Sequence, residues 1–167
     1  SYSQYDTFEK SNTTFPAGHV IQTKYVIRTA TGTQSLSNSM AVVNIASGGN
    51  LEIGSVSMTQ NNLCVCTVGG FNMYSETDGT YSTFIEIYDG ATVRATYEWY
   101  MDQDSGEHLH LPLTLEFPFV VPASFSSKTI SVRAAYQTSR PSGNHMLTVR
   151  TTGNDAQAFL RIQEIQL

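Results

Sequence analysis

Residues 107–117 read EHLHLPLTLEF, and their two-residue rhythm sets the fold class. After Glu107 the odd positions are Leu109, Leu111, Leu113, Leu115 and Phe117, and the even ones are His108, His110, Pro112, Thr114 and Glu116. Such alternation describes a strand with one face in a core and the other turned outward. Pro112 has no N–H to give to a ladder, so this strand is expected at a sheet edge or bulged. The preceding run alternates too, with Val93, Ala95, Tyr97, Trp99 and Met101 on one face and Arg94, Thr96, Glu98 and Tyr100 on the other. If Asp102, Gln103, Asp104, Ser105 and Gly106 form a hairpin loop, keeping the apolar faces together pairs Met101 with Glu107 and Trp99 with Leu109. Glu98 then lies opposite His110, and Tyr100 opposite His108. A carboxylate across from an imidazole is a sufficient structural reason for His110.

Outward from this stretch the same pattern recurs, and helical periodicity is almost absent. After a polar arm over 1–15, Pro16, Ala17 and Gly18 open the strand HVIQTKYVIRT. SMAVVNIA and LEIGSVSMT follow, with Gly48, Gly49 and Asn50 as the turn between them. NLCVCTVGGFNMYS and YSTFIEIYD flank Glu76, Thr77, Asp78 and Gly79, whose Asp-Gly step is a hairpin signal that Asp89-Gly90 repeats. KTISVRAAYQ, HMLTVRTT and QAFLRIQEIQL close the chain. About ten short strands without a crossover helix predict an all-β antiparallel jelly-roll sandwich, one domain over 16–167.

Composition narrows the function. The chain has 167 residues, a formal net charge of −5 and only 14% charged residues. Its pI is about 5.2, which argues against nucleic acid or an anionic membrane as partner. No apolar run reaches membrane-spanning length, so no membrane insertion is expected. A chain that opens on Ser1 is expected to be a processed product or a piece of a longer one. Cys64 and Cys66, spaced C-V-C, share a strand face and read as small buried apolar residues, not as a bridge. The sequon at Asn12, Thr13 and Thr14 has meaning only in a eukaryotic secretory route.

No nucleophile elbow, phosphate loop or zinc-protease motif occurs, so no enzyme is expected and no catalytic residue is named. Asp102, Asp104, Gly106 and Glu107 put oxygen donors at alternate positions around a glycine turn. They form a candidate calcium loop that lacks the twelve-residue spacing of a hand-type site. His108 and His110, i and i+2 on one face, lie about 6.5 Å apart along a strand. Two imidazoles are too few for a monomer site, but three copies around an axis would supply six nitrogens. Tyr88 and Tyr100 are the outward aromatics available for stacking, whereas Tyr97 and Trp99 go to the core by parity.

GEHLH at 106–110 resembles the G-x-H-x-H pattern of bacteriophage tail-fibre tips, which bind iron along a trimer axis. The resemblance would make His108 and His110 trimer-axis metal ligands. The chain as a whole resembles the virion proteins of tailed phages, especially the jelly-roll heads of tail and head fibres. The segments that carry this likeness are FPAGHVIQTKYVIRT, FIEIYDGATV and FLRIQEIQL, the last closing on a strand with a buried or interface Glu. The resemblance implies a sandwich similar to the TNF and C1q heads, a homotrimer, and an arm at 1–15 that joins other virion proteins. It also implies a host-cell surface receptor, protein or glycan, as partner. Loops carry recognition on rigid sandwiches. The candidate contacts are therefore Tyr88, Tyr100, Glu76, Asp78, Asp102, Asp104, Arg140 and Asn144. The alternative roles are a capsid decoration or fibre-anchoring protein, or a carbohydrate-binding module.

Overall fold

The computed structural model describes residues 16–29, 32–44, 49–75, 79–103, 109–136, 145–149 and 157–167. They form eleven strands: β1 (Val20–Thr29), β2 (Gly32–Ser35), β3 (Ala41–Val42), β4 (Glu52–Val56), β5 (Leu63–Ser75), β6 (Gly79–Tyr88), β7 (Val93–Gln103), β8 (Leu109–Val120), β9 (Lys128–Tyr136), β10 (His145–Val149) and β11 (Gln157–Ile165). All pairings are antiparallel and fall into two sheets. In the first sheet β8 runs along one edge of β5 over its whole length. The other edge of β5 is shared by β11, which pairs 63–69, and β10, which pairs 72–75. Beyond these two lie β1 and β2. The second sheet runs β7–β6–β9, with β3 and β4 sharing the far edge of β9. Each sheet is thus four strands wide, and the chain crosses between them at six of its ten strand-to-strand connections. This is the expected jelly roll.

Two expected hairpins are not formed, and one is. β6 and β7 pair directly around Asp89-Gly90, as read. β7 and β8, however, lie in different sheets: Glu98 is opposite Phe84, and His110 is opposite Tyr74. Glu98 is therefore not the partner of His110. The apolar faces of β7 and β8 do meet, but across the sandwich instead of side by side, and Tyr97 sets its ring edge-on against Phe117 at 4.9 Å. The strands flanking Asp78-Gly79 are also split between sheets, since Ser75 is opposite Leu109 and Gly79 opposite Gln103. Sheets stack about 10 Å apart, a gap that three extended residues span.

The core lies between the sheets, in one cluster. The first sheet contributes Cys64, Cys66, Val68, Phe71, Met73, Phe117, Leu160 and Ile162, and the second contributes Ile85, Ile87, Ile130 and Val132. Each large side chain so buried contributes about 1.5–3 kcal/mol. The cysteines are free, and Cys64 Sγ lies 3.7 Å from Cys66 Sγ. The contact with Cys64, with burial adding to it, pushes the Cys66 thiol well above its ordinary pKa, so it behaves as the apolar residue it was read to be. β8 bonds only to β5 among the described residues, which makes it the edge strand that Pro112 requires.

Bulges keep these faces in phase. The buried positions of β5 are even at Cys64, Cys66 and Val68 but odd at Phe71 and Met73. Gly70 absorbs the extra residue, with φ +80° and the register shifting between Gly69 and Phe71. A second shift, between Ile87 and Tyr88, places Val93 opposite Tyr88 on the outer face. This corrects the expectation that Val93 shares the face of Ala95. Tyr97 keeps the inward side but remains 44% exposed, because β7 is an edge strand and little packs beyond it.

Gly70 cannot be replaced without movement: a Cβ there would lie 1.7 Å from the Gln157 carbonyl oxygen. Gly70→Ala is expected to cost about 3 kcal/mol or more, combining left-handed strain with overpacking. Gly54→Ala, where the nearest atom is Thr129 Oγ1 at 3.9 Å, should change stability by less than about 1 kcal/mol. Urea denaturation of the two variants checks the contrast.

Candidate recognition end

The strand registers give the sandwich two distinct ends. Ser75 lies opposite both Leu109 and His145, and Gly79 opposite Gln103. The strands that bracket 76–78, 104–108 and 137–144 therefore begin and finish at one end. At the other end Val20, Ile165, Leu63 and Val120 form a single row across the first sheet. The 57–62 and 121–127 connections and the β6–β7 turn lie there too. Both terminal segments are bonded together at that end, Gly18 N donating to Gln166 O and Gln166 N to His19 O.

Of the predicted contact residues, Tyr100 and Asp102 are placed by their backbone in β7, the strand that finishes at the first end. Asp102 sits in β7 opposite Thr80, and Tyr100 opposite Ser82. Glu76, Asp78, Asp104, Arg140 and Asn144 lie outside the described residues, as do His108, Gly106 and Glu107 of the candidate metal sites and the sequon at Asn12. His110 is placed by its backbone in β8. Among the described residues no group of three or more His, Cys, Asp or Glu gathers to hold a metal ion. No helix among them is long and apolar enough to cross a membrane.

Tyr88 is different: it lies on the outer face of the second sheet, toward the end that holds the termini. The Arg133 guanidinium covers one face of its ring, 3.7 Å from the centroid. Arg133 also pairs with Glu86, its direct neighbour across β6 and β9. Glu86 is buried, so breaking the pair would strand a desolvated carboxylate. One face of Tyr88 is thus occupied within the molecule. Glu86 and Arg133 were missed from sequence. Each is a lone charge at an outward position of an apolar strand, and only the register brings them together.

Two buried carboxylates fix the end that holds the termini. Glu164 Oε1 accepts from Thr59 N and Asn62 Nδ2, both at 2.7 Å, and Oε2 accepts from Gln22 Nε2. This ties β11 to β1 and to the β4–β5 connection, where Asn61 takes the left-handed conformation that asparagine tolerates. Asp89 Oδ1 accepts the amides of Ala91 at 2.9 Å and Thr92 at 2.7 Å, while Oδ2 accepts from Arg94 Nε at 2.7 Å. Arg94 in turn lies over the Phe125 ring. Burial works to raise the Asp89 pKa, but the Thr92, Arg94 and Ala91 hydrogen bonds and the Arg94 charge outweigh it and hold the group below its ordinary value.

No protein-family model and no curated protein matches the chain. Among solved structures it is similar to the VP2 subviral particle of infectious bursal disease virus, at 11% identity and a TM-score of 0.36 over 87% of this chain. The structure of the Gt strain of that virus gives 12% identity and a TM-score of 0.34 over 89%. A Bacillus endospore appendage, from a family of disulfide-linked pili, gives 10% and 0.28, covering 94% of this chain and 100% of that one. The chain spans 32% of the length of the first structure and 39% of the second.

Asp89 carries a pH prediction. Its carboxylate is stabilised in the fold, so its contribution is full above the unfolded aspartate pKa of about 3.9 and is lost as pH falls through the lower folded value. Asp89→Ala should be less stable than the parent by roughly 2 kcal/mol at pH 7. The gap should narrow in urea titrations at successively lower pH below about 4.

Proposed function

We propose that this chain is a virion structural module of a tailed phage: a non-enzymatic jelly-roll head, assembled as a homotrimer on a fibre, that contacts a receptor on the host surface. The observation that carries this reading is the polarity of the sandwich. The segments leading in and out of the domain are bonded together at one end, and the strands bracketing three candidate contact loops meet at the other. A head joined to a fibre through residues 1–15 would turn the end where these strands meet away from the particle. Recognition by loops on a rigid sandwich needs little interface per copy, because weak sites held together gain avidity.

The test is binding of fluorescently labelled protein to a panel of intact bacterial strains. Strains that the source virion infects should be stained, and staining should fall at least about tenfold when 139–144 is replaced by a glycine-serine linker with unchanged melting temperature. Binding to purified phage particles and to no infected strain would assign the capsid-decorating or fibre-anchoring role instead.

A further inference from the structure

Seven large apolar side chains are exposed among the described residues, and four of them share one surface: Val20 at 42%, Tyr25 at 70%, Ile27 at 42% and Val120 at 58%. That surface is the outer face of the first sheet. Paired residues share a face, so Val20, Ile165, Leu63 and Val120 make an unbroken aliphatic row across all four strands. Two rows further along stand Tyr25, Arg161, Thr67 and Glu116, and then Ile27 with Phe159. The outer face of the second sheet has a different character, with Glu52, Glu86, Glu98 and Arg133 paired or spread across it. Between the Val20 and Tyr25 rows of the first sheet stand Thr23, Gln163, Val65 and Pro118, so the sandwich has one outer face that gathers charges and one of mixed apolar and neutral polar residues with few charges.

We propose that copies of this chain pack against one another through the outer face of the first sheet. Two features favour a second copy over another partner. The first is charge: among the described residues the face carries one cation, Arg161, and one anion, Glu116, two strands apart in the same row. A surface with one charge of each sign is complementary to itself, since packing sets the guanidinium of one copy toward the carboxylate of the next. Arg161 is prepared for this. Its Nη2 donates to Thr67 Oγ1 at 3.1 Å, while its buried Nε has no partner among the described residues. The second is size. Four strands about 4.8 Å apart and seven residues of about 3.4 Å give a patch of roughly 400 Å² in projection. Side-chain relief enlarges that toward the roughly 800 Å² per partner of a stable contact. This packing rests on the fibre-head reading, in which the chain self-assembles, and adds the face that does it.

Sedimentation velocity of the full chain, from about 1 to 100 μM, tests this against substitutions of exposed residues. The parent should sediment as an oligomer. Val120→Glu and Tyr25→Glu should weaken assembly by about thirty-fold or more, with unchanged circular dichroism and melting temperature. Glu116→Lys, which sets like charges together, should weaken it roughly tenfold. Thr96→Lys, on the outer face of the second sheet and opposite Glu86, should leave assembly unchanged. An oligomer insensitive to all three first-sheet variants would overturn the assignment of this face and leave the fibre-head role standing. A parent that stays monomeric at 100 μM would overturn both this inference and the trimer, leaving cell staining to decide whether a monomeric head binds the host.

Discussion

The first sheet depends on a single inserted residue. β5 is flanked by β8 along one edge and by β11 and then β10 along the other, and its sequence changes phase midway, from buried even positions to buried odd ones. Without the bulge at Gly70, either Cys64, Cys66 and Val68 or Phe71 and Met73 would face outward. The same point is where β10 gives way to β11 along the neighbouring edge, and the Gln157 carbonyl occupies the space of the missing side chain. Core phase, strand succession and close backbone approach are all met there, which only a residue without a Cβ permits.

Much of this was legible in the sequence, for a physical reason. Alternation reports which side of a strand is buried, so EHLHLPLTLEF revealed a one-faced strand and Pro112 revealed its place at an edge. The Asp89-Gly90 hairpin and the two buried cysteines were readable in the same way, because each is fixed by neighbours within a few residues. Strand partners were not readable. An apolar face is satisfied equally by a neighbour in the same sheet or by one stacked across the core, and local sequence does not distinguish these. The pairing of Glu98 with His110 failed for that reason, and so did the Asp78-Gly79 hairpin.

Sites formed by long-range register were equally hidden. Glu86 and Arg133, separated by 47 residues, appear in sequence as isolated charges on apolar strands; Glu164 was expected to be buried or at an interface and is buried, but its partner Asn62, 102 residues away, was not readable. The aliphatic row of the first sheet draws its members from four strands, and none of those strands is unusually apolar on its outer face. What the sequence did convey was a low density of charge, and the structure shows its distribution: charges gather on one sheet and thin out on the other.

The edge at β1 has a mechanical consequence. Along it, Gln22, Lys24 and Arg28 reach across to the carbonyls of Ser57, Ser55 and Asn50, stitching the first sheet to the second. β1 is also laddered to β11 along its length. Ladder bonds run perpendicular to the strands. Tension drawn between the end that holds the termini and the opposite end runs along the strand axis and loads all these bonds in shear at once. Tension that separates the two terminal segments, which lie side by side, opens the ladder one bond at a time. The domain therefore resists extension along its long axis far better than peeling at its base.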